Sequence, residues 1–156
     1  MKQSLPILFL FFIPFFSSGQ KIHFITIDQL NERVNKSNDT TYIINFWATW
    51  CTPCIKEMPA LEKFEQAFKT EKVKLLLISL NFKSELNNTA SFVASRKIKS
   101  EVWLLNEKDP QEYINRIDSG WSGAIPSTLL IKNRQRIFLE QDLTYDELLK
   151  QYTALK

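Results

Sequence analysis

Two uninterrupted apolar runs dominate the middle of the chain, Tyr42 to Trp47 (YIINFW) and Lys74 to Asn81 (KLLLISLN). Runs of this length, rich in β-forming residues and without alternation, predict strands covered on both faces of a sheet. Between them the sequence reads Ala48-Thr49-Trp50-Cys51-Thr52-Pro53-Cys54, and then Met58, Leu61, Phe64 and Phe68 recur at helical spacing, predicting a helix that runs to about Thr70. Pro53 suits a first helical turn, where a missing N–H costs nothing, whereas Pro59 lies further in and is expected to bend the helix. Strand, helix and strand of these lengths make a βαβ unit with parallel strands.

Weaker patterns flank this unit. Lys21 to Ile27 predicts a short strand, with Asp28 capping a helix through about Asn35, and Ser37 to Thr41 is a polar loop. Downstream, Ser84 to Lys97 predicts a helix, Val102 to Leu105 a strand, and Asp109 to Ile117 a helix. A turn-rich loop, Ser119 to Pro126, holds Gly120 and Gly123. Thr128 to Ile131 and Ile137 to Leu139 flank the polar turn Lys132 to Gln135, so they predict an antiparallel hairpin. A last helix starts at Thr144, with Glu147 completing a capping box. The sum is an α/β fold with a central mixed sheet, a parallel βαβ unit and an antiparallel C-terminal hairpin.

The first twenty residues belong to a different pattern. Met1-Lys2 precedes an apolar, uncharged stretch from Leu5 to Phe16, followed by Ser17-Ser18-Gly19. Basic start, short apolar run and small residues are the three parts of a secretory signal. The run is roughly 18 Å long as a helix, against a hydrocarbon core of roughly 30 Å, which makes an uncleaved membrane anchor the minor alternative. We therefore expect residues 1–19 to be removed and residues 20–156 to form one exported domain, periplasmic or secreted. Composition adds exclusions: the charge of +3 is small and the basic residues are scattered, so no nucleic-acid surface is expected.

Export bears on the two cysteines. Cys51 and Cys54 are the only pair, three positions apart, and a loop this small constrains little of the unfolded chain. A closed zinc site wants about four Cys or His ligands, and this chain has two Cys and one distant His, His23, so no metal is expected. A redox pair is the better reading. Cys51 falls where a buried strand gives way to a helix, near unpaired N–H groups and the positive end of the helix dipole. Those favour thiolate, making Cys51 the nucleophile on a substrate disulfide and Cys54 the resolving thiol.

With these residues in place, the sequence resembles the thioredoxin superfamily and, within it, the exported TlpA/ResA-like thiol-disulfide oxidoreductases. The resemblance rests on Asn45-Phe46-Trp47-Ala48-Thr49-Trp50-Cys51-Thr52-Pro53-Cys54, on Lys56-Glu57-Met58-Pro59, and on Gly123-Ala124-Ile125-Pro126-Ser127-Thr128-Leu129. It implies a thioredoxin fold with helices on both faces and one inserted strand and helix before the second motif. It implies that Pro126 is a cis-proline facing the disulfide and that Ile125 offers its backbone to an extended substrate, with Trp50, Thr52 and Pro53 lining the substrate side. Trp47 and Trp50 are expected to wall the disulfide from water, and Trp121 either shapes the groove or belongs to the core.

The resemblance also carries a departure. Thioredoxin proper has a buried Asp where this chain has Asn45, which cannot accept a proton, whereas Glu57, one helical turn after Cys54, matches the carboxylate of TlpA/ResA-like proteins. Glu57 is thus the candidate proton acceptor for Cys54. The implied activity is reduction of disulfides in exported proteins, with no cofactor beyond the redox-active Cys51 to Cys54 disulfide. The implied partners are disulfide-containing proteins and a membrane or exported thiol donor, and the protein is expected to be a monomer. The competing readings are a non-catalytic partner-binding module of the same fold and a thiol peroxidase.

Overall fold

In the computed structural model, residues 21–36 and 39–155 are described; the expected signal segment and part of the Ser37 to Thr41 loop lie outside them. Six strands form one mixed sheet: β1 (His23–Ile25), β2 (Thr41–Trp47), β3 (Val73–Ser79), β4 (Glu101–Leu105), β5 (Ser127–Lys132) and β6 (Gln135–Leu139). The helices are α1 (Ile27–Asn35), α2 (Thr52–Ala67), α3 (Leu86–Ser95), α4 (Pro110–Ile117) and α5 (Tyr145–Ala154).

Sheet order is β1-β4-β3-β2-β5-β6. β2 and β3 are parallel neighbours joined through α2, as a crossover connection requires, and every residue of β2 is buried. β5 runs antiparallel to β2, and β6 closes the hairpin after the turn at Asn133, whose φ of 56° is one that Asn tolerates. β4, the inserted strand, slots between β1 and β3 and is parallel to both.

Because side chains alternate along a strand, β2 feeds two cores. Ile43 and Trp47 face α2, α3 and α5, packing with Met58, Leu61, Phe64, Val93 and Leu148. Tyr42, Ile44 and Phe46 face α1 and α4, with Leu30, Val34 and Ile117. The first core is aromatic where α2 meets α5: Phe64 is fully buried, with Phe68, Tyr145 and Tyr152 at centroid distances of 4.5, 5.4 and 5.5 Å.

Element ends depart from the sequence reading at several places. The cap of α1 is Thr26, not Asp28: Thr26 and Gln29 make a reciprocal capping box, and Asp28 sits inside the first turn. α2 stops at Ala67, and residues 69–71 form a separate 3-10 turn. The helix expected from Ser84 is a 3-10 turn over Lys83–Glu85 followed by α3. The box at Thr144 with Glu147 is present as expected.

Candidate active site at the strand-to-helix turn

The buried strand β2 delivers Ala48 to Trp50 to the sheet edge, and Cys51 is the N-cap of α2. Cys51 and Cys54 are joined as a disulfide with Cα atoms 5.3 Å apart. The Cys54 N–H points at Cys51 Sγ across 3.3 Å, so a helix donor lies where negative charge on that sulfur would develop. Cys51 retains 5% of its surface to solvent and Cys54 none, so an incoming group meets Cys51 first. Thr52 and Pro53 are exposed in the first turn.

The second motif comes to the same place from β5. The Ile125–Pro126 peptide is cis, and the Ile125 carbonyl oxygen is 3.6 Å from Cys51 Sγ. The approach to this bond depends on Gly123: its φ is +91°, and a Cβ there would stand 2.9 Å from Ile114 Cδ1. Trp121 belongs to the core. It is 4% exposed, packs against Phe46 and Phe138, and its ring N–H donates to the Ala124 carbonyl at 2.8 Å, bracing the loop from below.

The two tryptophans of the first motif part company. Trp47 is fully buried against Phe92, under the site, whereas Trp50 is 65% exposed. Trp50, directly before Cys51, thus presents most of its surface to water rather than to the core. His23 is exposed and packs against Trp103 with the rings tilted at 45°, remote in the sheet from the disulfide edge.

Beneath the disulfide lies a buried polar network that local sequence pattern does not reveal. Asn45 shares the α2-facing side of β2 with Ile43 and Trp47, and is the cross-strand partner of Thr128. Its Nδ2 donates to Glu57 Oε1 at 2.8 Å and to Thr128 Oγ1 at 3.0 Å. The Leu143 N–H, just before α5, donates to Glu57 Oε2 at 2.7 Å. Glu57, 5% exposed, has no cation among these partners. Burial pushes its carboxyl up to about 7, against the lowering by the Leu143 and Asn45 donors, and the Asp142 charge adds to the rise. A carboxyl of this kind, one turn from Cys54, can exchange a proton near neutral pH. Among the described residues, Asn45 Oδ1 has no hydrogen-bond partner.

A second cluster fixes the turn that carries Trp50. Asn81, just past β3, accepts from the Thr49 N–H at 3.0 Å and donates to Thr49 Oγ1 at 2.8 Å. The Ser79 hydroxyl donates to the same Asn81 Oδ1 at 2.9 Å. Nothing in the spacing of Thr49 and Asn81 signals this clamp; only the parallel pairing of β2 with β3 brings them together.

Known proteins resemble this chain in both sequence and fold. Sporulation thiol-disulfide oxidoreductase A of Bacillus subtilis is 27% identical over 104 residues, covering 66% of this chain and 58% of that protein. Thiol-disulfide oxidoreductase ResA of Halalkalibacterium halodurans is 26% identical over 120 residues, covering 76% and 64%. These matches span less than two thirds of either relative's own length. The crystal structure of a thioredoxin-related protein from Neisseria meningitidis serogroup B superposes with a TM-score of 0.67 at 23% identity, over 76% of this chain and 87% of that one, which establishes the thioredoxin fold. A family model covers most of the sequence, residues 9–138, and by that match the chain belongs to the AhpC/TSA family.

Proposed function

We propose that the protein is a thiol-disulfide oxidoreductase that reduces disulfides of exported proteins. The carrying observation is the position of Cys51: partly open, at the N-terminus of α2, with its sulfur against the Ile125 carbonyl and its partner Cys54 buried behind it. In the reduced state the Cys51 thiolate attacks one sulfur of the substrate disulfide. The substrate S–S bond breaks, one substrate thiolate leaves, and a mixed disulfide forms on Cys51. Cys54, after giving its proton to Glu57, attacks the Cys51 sulfur. The second substrate thiolate leaves, so the substrate gains two electrons and the protein is left with the Cys51–Cys54 disulfide. A membrane or exported thiol donor restores the dithiol.

Ile125 presents its backbone to an extended substrate segment beside Pro126, and Trp50, Thr52 and Pro53 lie on the exposed side of the sulfur. The N-terminal pattern of Lys2, the apolar run and Ser17-Ser18-Gly19 supports export. Among the described residues, no helix is long and apolar enough to cross a membrane. Insulin reduction with dithiothreitol as donor tests the activity. The reading requires precipitation of the insulin B chain faster than with dithiothreitol alone; equal rates would favour the non-catalytic binding module.

A further inference from the structure

Only three large hydrophobic side chains stand well out of the surface among the described residues, Phe24, Trp50 and Phe82, and two of them belong to the disulfide edge of the sheet. Trp50 follows Thr49 and precedes Cys51; Phe82 follows Asn81. The Thr49–Asn81 clamp therefore holds both aromatic residues on turns tied to each other. The backbone of Phe82 is held while its ring is exposed: its N–H donates to Glu85 Oε2 at 2.9 Å, and the residue is 75% exposed. An aromatic ring held out in water on an anchored turn is the kind of group that binding interfaces use as an anchor.

Sheet order sets these groups in a row. β3, β2 and β5 are adjacent, and the ends of β3 and β2 meet the start of β5 at one edge. Phe82 and Cys51 follow the ends of β3 and β2, and Ile125 precedes the start of β5. Adjacent strands are about 4.8 Å apart and an extended chain rises about 3.3 Å per residue, so an extended segment of about four residues spans more than twice the spacing of the strand ends that Cys51 and Phe82 follow. Beyond Phe82 a cleft of about 400 Å³ opens towards the start of α4, lined by Lys83, Lys108, Pro110 and Tyr113 among others.

The charges over this cleft are unequal in direction. Glu85 and Glu107, both half-buried, have their carboxylates engaged by backbone, accepting from the N–H groups of Phe82 and Ile27. Lys83 and Lys108 are exposed, and among the described residues neither lies within ion-pair distance of a carboxylate. Asp109, exposed beside Lys108, is engaged as the cap of α4, accepting from the Gln111 and Glu112 N–H groups, so the unpaired charges this face offers beside Phe82 are the two lysines.

We propose that this edge extends the exchange site and selects its substrate. The partner is a protein whose disulfide lies in an extended segment, with an apolar side chain against Phe82 and an acidic one over Lys83 and Lys108, within about four residues of the cysteine that meets Cys51. The proposal rests on the exchange activity above and adds a specificity to it.

The test measures the rate at which the fully reduced protein is oxidised by two cystine-linked peptide dimers and by hydroxyethyl disulfide. One peptide carries Leu and Asp after its cysteine, the other Ser and Lys. The wild type is expected to prefer the Leu/Asp peptide about tenfold, and Phe82→Ser to erase most of that preference. Lys83→Glu with Lys108→Glu is expected to turn the charge preference towards the Ser/Lys peptide. Thermal melts of the variants, all at exposed positions, establish that they are folded. Equal wild-type rates with the two peptides, or a preference untouched by all three substitutions, would overturn the proposal while leaving exchange intact. No oxidation by any of the three disulfides would overturn exchange itself, and the proposal with it.

Discussion

Asn45 Nδ2 lies 2.8 Å from Glu57 Oε1, joining the central strand to the active-site helix through a neutral donor and a buried carboxyl. The partner on β2 cannot itself take a proton, so Glu57 is the group in this buried network that titrates. Its carboxyl is held at about 7 chiefly by burial.

That elevation makes stability depend on pH. A carboxyl at about 7 in the folded protein and near 4.5 when unfolded binds more protons folded, so ionising it opposes folding. The group's penalty is absent below about pH 4.5, grows as pH rises through the interval, and is complete above about pH 7, reaching about 3 kcal/mol. Denaturant unfolding of the oxidised protein should show this fall. Glu57→Gln should flatten it and be the more stable protein at pH 8. The introduced amide can donate to Asn45 Oδ1, which lacks a partner among the described residues of the wild type, once the Asn45 amide rotates. Parallel pH curves for the two proteins would contradict the assignment.

Resolution of the mixed disulfide should follow the same group. With a peptide preloaded on Cys51, release by Cys54 should accelerate as pH rises through about 7. In Glu57→Gln at pH 7 it should slow by at least about tenfold, with its pH profile displaced upward. Formation of the adduct on Cys51 should change much less. Stopped-flow measurement of the two steps separates these effects.

The Asn81 clamp predicts a coupled loss. Asn81→Ala removes its bonds to Thr49 and Ser79 and leaves buried donors and acceptors unpaired, at a cost of about 1–3 kcal/mol. Peptide disulfides should then react more slowly than with the wild type even where the variant is fully folded, because the turn leading to Cys51 has lost its brace. Thermal melts paired with rate constants check both parts.

Much of this site is legible in the chain because its carriers are local. The Cys51 to Cys54 spacing, the run Tyr42 to Trp47 and the helical spacing of Met58, Leu61 and Phe64 each state a strand, a turn or a helix within a few residues. Pro126 and Glu57 come through the family resemblance, and the structure places Pro126 directly before β5 and Glu57 inside α2, one turn after Cys54. What stays hidden depends on distance in the chain. Leu143 reaches Glu57 across 86 positions, and Asn81 meets Thr49 only through strand pairing. The cap of α1 is misplaced in the sequence reading because Thr26 and Asp28 are both competent caps; Gln29, three residues after Thr26, decides between them by closing the box.

The aromatic junction of α2 and α5 carries a stability prediction independent of the chemistry. Phe64→Ala should cost about 3–5 kcal/mol, since it empties a fully buried ring site beside Phe68, Tyr145 and Tyr152. Hydrogen exchange should speed up first in α5, whose packing on α2 is lost, before β2 and β3 are affected.

The central claim is that Cys51 is the attacking sulfur and Cys54 the resolving one. Mass spectrometry of Cys54→Ser and Cys51→Ser, each incubated with a cystine-linked peptide dimer, tests it most directly. The account predicts that Cys54→Ser accumulates a stable one-to-one peptide adduct, while Cys51→Ser, with only the buried Cys54 left, accumulates none on the same timescale. Adduct forming as fast on Cys54 as on Cys51, or on neither, would contradict it.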